Sequence, residues 1–311
     1  MIEPVVKPTM YFIGVTTSKS SIMQIFPRWA EILGIDAQLV GYDAPLHAPA
    51  HVYQEIVEHI KGDPLVKGAL VTTHKIDLVF ATKHLFDEFD SYAALTQEVS
   101  SISKRTTISN HSKLIGHAKD PITSGLALQT FVPKSYWQNG AHVLCFGAGG
   151  AAVSISLYFA SQLEKFDKPE KFIVTDISKE RLEHLQHIHS QLETTMKLEY
   201  ILNGDANRND ELMSTLPEGS LVINATGMGK DRPGSPINDT AHFPKNGLAW
   251  ELNYRGELDF LKQARAQEDL GNLHIEDGWI YFLHGWTQVM AEIFDFQLTP
   301  ELFRTLDNVA S

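Results

Sequence analysis

The chain has 311 residues, 43% of them hydrophobic, a length beyond what one core comfortably serves, so two domains are expected. Its 26 Lys and Arg against 38 Asp and Glu leave a formal charge of -12, which repels polyanions and argues against nucleic acid or an anionic membrane as partner. The single cysteine, Cys145, cannot form an intramolecular disulfide, and its setting His142-Val143-Leu144-Cys145-Phe146 marks a buried strand.

The opening Met1-Ile2-Glu3-Pro4 carries no basic stretch followed by an apolar one. No apolar run approaches the roughly 18 residues of a bilayer span. A cytoplasmic protein is expected. Apolar runs then alternate with segments of helical period. Met10 to Val15 reads as a strand, Ser21 to Leu33 as a helix, Gln38 to Tyr42 as a strand and His51 to Ile60 as a helix. Gly68 to Thr72 is a further expected strand and Lys75 to Phe89 a further helix. Such alternation favours parallel strands joined by crossover helices.

From Asp90 to Asp120 Ser, Thr and Asn become frequent, which suits loops, a short hairpin and functional turns. A connecting helix is expected over Thr123 to Phe131, and a second alternation starts at His142. It runs through strand, glycine turn and apolar helix to strands at Phe172–Thr175 and Leu221–Ile223, the order of a doubly wound nucleotide domain. The last strand signal lies near Ala249 to Leu252, and an apolar helix follows from Trp279 to Phe294. The expected fold is α/β, with an N-terminal α/β substrate domain over 1–121 and a Rossmann-type doubly wound domain over 122–279. Helices from about 280 to 311 would pack back on the first. There is no internal repeat or heptad.

Gly147-Ala148-Gly149-Gly150-Ala151-Ala152 joins an apolar strand to a helix, so Gly147, Gly149, Gly150 and Ala151 stand where backbone approaches a pyrophosphate at a helix N-terminus. A glycine turn of this kind also serves tight packing alone. Asp176 ends the next strand, placed either to accept bonds from the adenine ribose hydroxyls or to cap the following helix, a task Ser178 performs equally well. A carboxylate there repels the extra phosphate of NADP, while Lys179 and Arg181 would attract it; NAD is the expected cofactor, ahead of NADP. Asn224-Ala225-Thr226 follows the strand at Leu221, where small residues admit a nicotinamide ribose.

Several separated segments, taken together and in order, resemble the shikimate dehydrogenase family. Gly14 to Ser21 resembles its serine-bearing loop. Val71-Thr72-Thr73-His74-Lys75 resembles its N-V-T-x-P-x-K segment, one residue shorter, and Gly116-His117-Ala118-Lys119-Asp120 its G-x-N-T-D. The turn at Gly147 resembles its G-A-G-G-A, and Asn224-Ala225-Thr226-Gly227-Met228 a contracted N-A-T-x-x-G-M. Trp250 to Leu261, with Tyr254, resembles its tyrosine-bearing segment.

The resemblance implies reversible oxidation of a ring hydroxyl of a cyclic hydroxy-acid or related polyol, with Lys75 and Asp120 as the catalytic pair. An alcohol loses a proton as hydride departs, and a lysine exchanges that proton. Asp120 would orient the ammonium and the hydroxyl, although its charge raises the lysine pKa. The implied substrate contacts are Ser20 with Ser21 or Ser18, Thr72, Ser100, Tyr254, and Gln288 or Trp286 in its space. Gly278 would lie against the nicotinamide.

Three family asparagines are replaced, by Leu70 or its neighbour, by Ser100 in Val99-Ser100-Ser101, and by Ala118. Asparagine supplies donor and acceptor to a hydroxylated ring, so a changed substrate pocket is expected. His117 and His284 have no metal-ligand spacing, and no metal is expected. Two alternatives stand beside this reading: shikimate or quinate dehydrogenation proper, and a regulatory nucleotide-binding protein without turnover. The partner is expected to be a small-molecule substrate, with the chain a monomer or homodimer.

Overall fold

The computed structural model describes residues 2–106, 112–162, 167–230 and 232–310. The chain divides into two compact units, Met1–Lys119 with Gly285–Ser311, and Asp120–His284.

The first unit opens with β1 (Thr9–Gly14), α1 (Ile22–Leu33), β2 (Gln38–Asp43), α2 (Ala50–Gly62), β3 (Val66–Val71) and α3 (Lys75–Thr82). β1 is buried at every residue and pairs in parallel with β2 and β3, which is why its sequence is a continuous apolar run. The helix expected from Lys75 to Phe89 is shorter. The Thr82 hydroxyl turns back to the Leu78 carbonyl, a single 3-10 turn follows over Lys83–Leu85, and the chain extends at Phe86. The freed segment forms β4 (Glu88–Phe89), whose residues pair with Ile115 and Gly116, before the short α4 (Ser91–Thr96).

The expected hairpin is present as antiparallel β5 (Ser101–Thr106) and β6 (Ser112–His117); the residues joining them lie outside those described. The sheet order is β2-β1-β3-β5-β6-β4, with β1, β2 and β3 parallel and β5 antiparallel to both β3 and β6. Its core gathers Tyr53, Ile56 and Ile60 of α2 against Ile13, Val71 and Leu78.

The second unit contains α5 (Asp120–Phe131), β7 (His142–Phe146), α6 (Gly150–Ser161), β8 (Lys171–Asp176), α7 (Lys179–His189), β9 (Lys197–Leu202), α8 (Ala206–Ser214) and β10 (Leu221–Asn224). It continues through β11 (Leu248–Glu251), α9 (Asp259–Arg265), α10 (Glu268–Gly271) and β12 (His274–Glu276). All six strands are parallel, in the order β12-β11-β10-β7-β8-β9. Read from the other edge, this is the 3-2-1-4-5-6 order of the doubly wound dinucleotide fold.

Two strands of this unit lie outside the sequence reading. β9 is an edge strand whose polar and apolar residues alternate, and β12 is a three-residue edge strand beyond the last expected one. The connecting helix starts at Asp120, three residues earlier than expected.

The division between the units falls within α11 (Trp279–Phe294), and α12 (Pro300–Ala310) belongs to the first. There the Trp29 indole, itself fully buried, donates to the Leu306 carbonyl at 2.7 Å, and Phe26 meets Phe294. Cys145 is a buried free thiol whose pKa burial raises. No helix among the described residues is long and apolar enough to cross a membrane.

Candidate active site

In a doubly wound sheet, ligands bind beyond the carboxyl ends of the strands where the order reverses. Here the reversal lies between β7 and β10, and each strand is followed directly by a small residue, Gly147 and Ala225. Gly147 has φ +99°, and a Cβ there would stand 2.6 Å from the Ala225 carbonyl oxygen, so conformation and space both require glycine. Gly149 precedes the first turn of α6, and a Cβ on it would meet nothing within 4 Å. Gly150 and Ala151 form that first turn, which carries no acidic residue to oppose an anion.

Gly147, Gly149, Asp176, Ala225 and Thr226 line one cavity of about 290 Å³, beside Arg181 and Arg232. Asp176 is 6% exposed. One carboxyl oxygen accepts the Ala148 N–H at 2.7 Å, the other the Ser178 N–H at 2.8 Å, and Arg181 stands 3.9 Å away. Ser178, not Asp176, caps α7 by accepting from Arg181 N–H. Asp176 therefore ties the glycine turn to the end of β8.

At the other end of the cleft, Asn224 Oδ1 accepts the Thr226 hydroxyl at 2.7 Å and the Thr226 N–H at 3.2 Å, while the Met228 N–H returns to Thr226 Oγ1. Asn224 in turn rests on the buried Glu251. Gly278 donates to the Asn253 carbonyl, and a Cβ on it would collide with the Leu252 carbonyl oxygen at 2.0 Å. Tyr254 is half-buried, its ring centroid 4.6 Å from Phe282 and 5.5 Å from Trp279.

In the first unit, Lys75 is the half-buried first residue of α3, where a cation opposes the helix dipole. Its carbonyl accepts from Val99 N–H, and the carbonyl of the next residue, Ser100, accepts from Val71 N–H. Thr72 bonds to Ile13 through both N–H and hydroxyl, joining the ends of β1 and β3. Ser20 and Ser21 are half-buried at the entry to α1. Gln288 is half-buried on α11, and Trp286 packs edge-on against Phe12 at 4.9 Å. Leu70, Ser100 and Ala118 are buried at 6%, 3% and 4% exposure. Asp120 opens α5 and falls in the second unit.

The sequence reading missed an ionic cluster. Glu292, one turn beyond Gln288, meets Lys119 Nζ at 2.6 Å and Arg105 at 2.7 Å, with His117 Nε2 at 3.6 Å. His117 also meets the Ser103 hydroxyl at 2.8 Å, and the Ser100 hydroxyl accepts the Lys119 N–H. Burial works to raise the Glu292 carboxyl, but the Lys119 hydrogen bond and the nearby His117, Lys119 and Arg105 outweigh it and hold the carboxyl below its usual range. Glu251 was also missed; its signal was a charge ending the apolar run Leu248-Ala249-Trp250. Burial pushes it up to about 7 against the hydrogen bonds of Asn253 and Asn224, with Asp277 adding to the rise. Among the described residues no group of His, Cys, Asp and Glu is arranged to hold a metal.

No family model matches the chain. The shikimate dehydrogenase (NADP(+)) of Streptococcus thermophilus is 30% identical over 168 residues, 52% of this chain and 53% of that protein, so the chain spans about half the length of such relatives. Among solved structures, quinate dehydrogenase from Corynebacterium glutamicum in complex with NAD superposes with TM-score 0.74 at 17% identity, covering 97% of this chain and 98% of that one. The 5-ketofructose reductase of a Gluconobacter species gives TM-score 0.69 at 18% identity, covering 97% and 99%. The structural matches establish the fold, and the sequence match, over about half of each chain, is to a shikimate dehydrogenase.

Proposed function

We propose that the chain is an NAD-dependent dehydrogenase that reversibly oxidises a ring hydroxyl of a cyclic hydroxy-acid or polyol, with Lys75 as acid/base and Asp120 as the carboxylate orienting it. The observation that carries this reading is the cleft of the second unit. A glycine no side chain can replace, a second glycine facing open space and the unopposed first turn of α6 suit a pyrophosphate. A bound nicotinamide would supply the hydride acceptor. Lys75 takes the hydroxyl proton, Asp120 holds the ammonium, and Ser20, Ser21, Thr72, Ser100, Tyr254 and Gln288 are the proposed substrate contacts. Gly147, Gly149, Gly150, Ala151, Asp176, Asn224, Ala225, Thr226 and Gly278 are those proposed for the dinucleotide.

Asp176 supports NAD, because a carboxylate fixed at the end of β8 by two main-chain N–H groups opposes a ribose phosphate. Arg181 and Arg232, which also line the cavity, favour NADP, and the Streptococcus thermophilus relative is named for NADP(+).

The buried Leu70, Ser100 and Ala118 support a substrate other than shikimate, and the fold also serves an enzyme named for 5-ketofructose. Each lost bond to a neutral hydroxyl is worth about 0.5 to 1.5 kcal/mol, so two or three losses lower efficiency on the order of 10-fold to 1000-fold. A screen of cyclic hydroxy-acids and polyols with NAD and NADP, following reduced nicotinamide absorbance, tests the reading. Turnover with a compound other than shikimate is expected. No turnover with any compound would favour a regulatory protein, and shikimate as the best substrate would return the chain to shikimate dehydrogenation proper.

A further inference from the structure

Glu251 ends β11 directly across the ladder from Asn224 at the end of β10, and it is wholly buried. Its Oε2 accepts Asn224 Nδ2 at 2.7 Å, and its Oε1 accepts both the N–H and the Nδ2 of Asn253, at 2.8 and 2.7 Å. Thr226 holds Asn224 Oδ1 through two bonds, so the Asn224 amide cannot turn over without losing them. Both asparagine Nδ2 groups also reach the Met228 carbonyl, at 3.3 and 3.2 Å. We propose that Glu251 is a positioning residue of the dinucleotide site, a buried acceptor that clamps the Asn224–Met228 turn to the Asn253–Tyr254 segment. The inference rests on the dinucleotide reading above.

The donors explain why the clamp is a carboxyl. Three N–H groups converge on two oxygens, and a buried donor left unmatched is costly. Glutamine has the same shape but only one oxygen. With its NH2 toward Asn224 two donors confront one another, and with its NH2 toward Asn253 two acceptor contacts are lost. The turn held by the clamp carries Ala225 and Thr226 into the cleft, and the Asn253 carbonyl receives Gly278 N–H. A fault at Glu251 would thus reach the turn that lines the cleft, and the Asn253–Gly278 contact behind it, without Glu251 itself lining the cleft.

The test compares the full-length chain with Glu251→Gln and with Glu251→Gln combined with Asn224→Asp, which puts an acceptor opposite the new NH2 and leaves Oδ1 for Thr226. Calorimetric titration with NAD and with NADP, and amide hydrogen exchange over residues 225–229 and 253–254, are measured on each. The single variant is expected to weaken dinucleotide binding by about tenfold or more and to speed exchange in both segments, and the double variant to recover most of both. Unchanged exchange and affinity in the single variant would overturn the clamp, as would a double variant no better than the single. A parent chain that binds neither dinucleotide would overturn the dinucleotide reading and the functional half of this proposal, while exchange still decides whether the clamp exists. If the glutamine variant does not fold, Glu251→Asp, which keeps the acceptors and shortens their reach, is expected to show the same two effects in smaller degree, and parent-like behaviour would overturn the clamp.

Discussion

The two units use their residues differently. In the second unit the cleft is mainly backbone: a positive φ at Gly147, main-chain N–H groups on Asp176, and a turn whose side chains serve to bond one another. In the first unit the candidate groups are side chains on α1, α3 and α11 and at the ends of β1, β3 and β5, braced by the Glu292 cluster. Backbone sites tolerate few residues and leave plain marks in a sequence, whereas side-chain sites can be refitted. For that reason the glycine turn of the second unit is readable down to single residues, while the expected substrate contacts already depart from the family they resemble.

Replacing Lys75 should do the most damage and tests the side-chain half of the contrast. Lys75→Ala should lower turnover roughly 100-fold or more, the scale of a lost acid/base, with dinucleotide affinity nearly unchanged. Steady-state rates on the best substrate, beside a calorimetric titration, check it, and near-parental turnover would remove Lys75 from the mechanism.

Acid should then separate the units. His189, bonded to the Tyr200 and Ser156 hydroxyls, and His284 are both buried in the second unit, and burial lowers each to about 4. A histidine whose folded pKa is depressed contributes stability above its unfolded pKa, near 6.5, and loses it as pH falls toward 4. Each contributes on the order of 3 kcal/mol across that window. Glu251, raised to about 7, works the opposite way, its contribution being complete below its unfolded value of about 4.5 and lost as pH rises through 7. Hydrogen exchange followed from pH 7.5 to 4.5 should show the second unit opening before the first, and His189→Asn should reduce that difference. Equal acid sensitivity in both units would contradict the assignment.

The backbone half is tested by Gly147→Ala, which forces an alanine to φ +99° against the Ala225 carbonyl. A loss on the order of 2 kcal/mol is expected, with weaker dinucleotide binding. Thermal melting and titration measure it, and a parent-like variant would show that the turn relaxes freely.

Glu292→Gln should be milder, about 1 kcal/mol, because Arg105 stays 36% exposed and can reach water. The Glu292 carboxyl is depressed in the folded chain, so its stability is present above its unfolded pKa and lost as pH falls through the folded one. Removing the carboxyl should therefore flatten the melting curve of the first unit only below about pH 4.5. A variant whose acid limb follows that of the parent would show that Lys119, Arg105 and His117 do not depend on Glu292.

What could be read from residue order alone follows from local rules. Buried parallel strands are apolar throughout, so β1, β3, β7 and β10 are legible directly, and the turn after β7 admits only glycine at 147. The hairpin of β5 and β6 announces itself by its interrupted pattern. Other features exist only once distant segments meet. Edge strands β9 and β12 have one neighbour each and alternate or carry polar residues, so nothing local separates them from loops. The stop of α3 at Thr82 depends on β4 finding β6, and Asp176 looks like a cap until the Ala148 N–H, 28 residues earlier, is brought to it. Glu251 and Glu292 acquire their roles from partners up to 187 residues away, because a buried carboxyl is kept only where donors converge from segments the chain order does not place together.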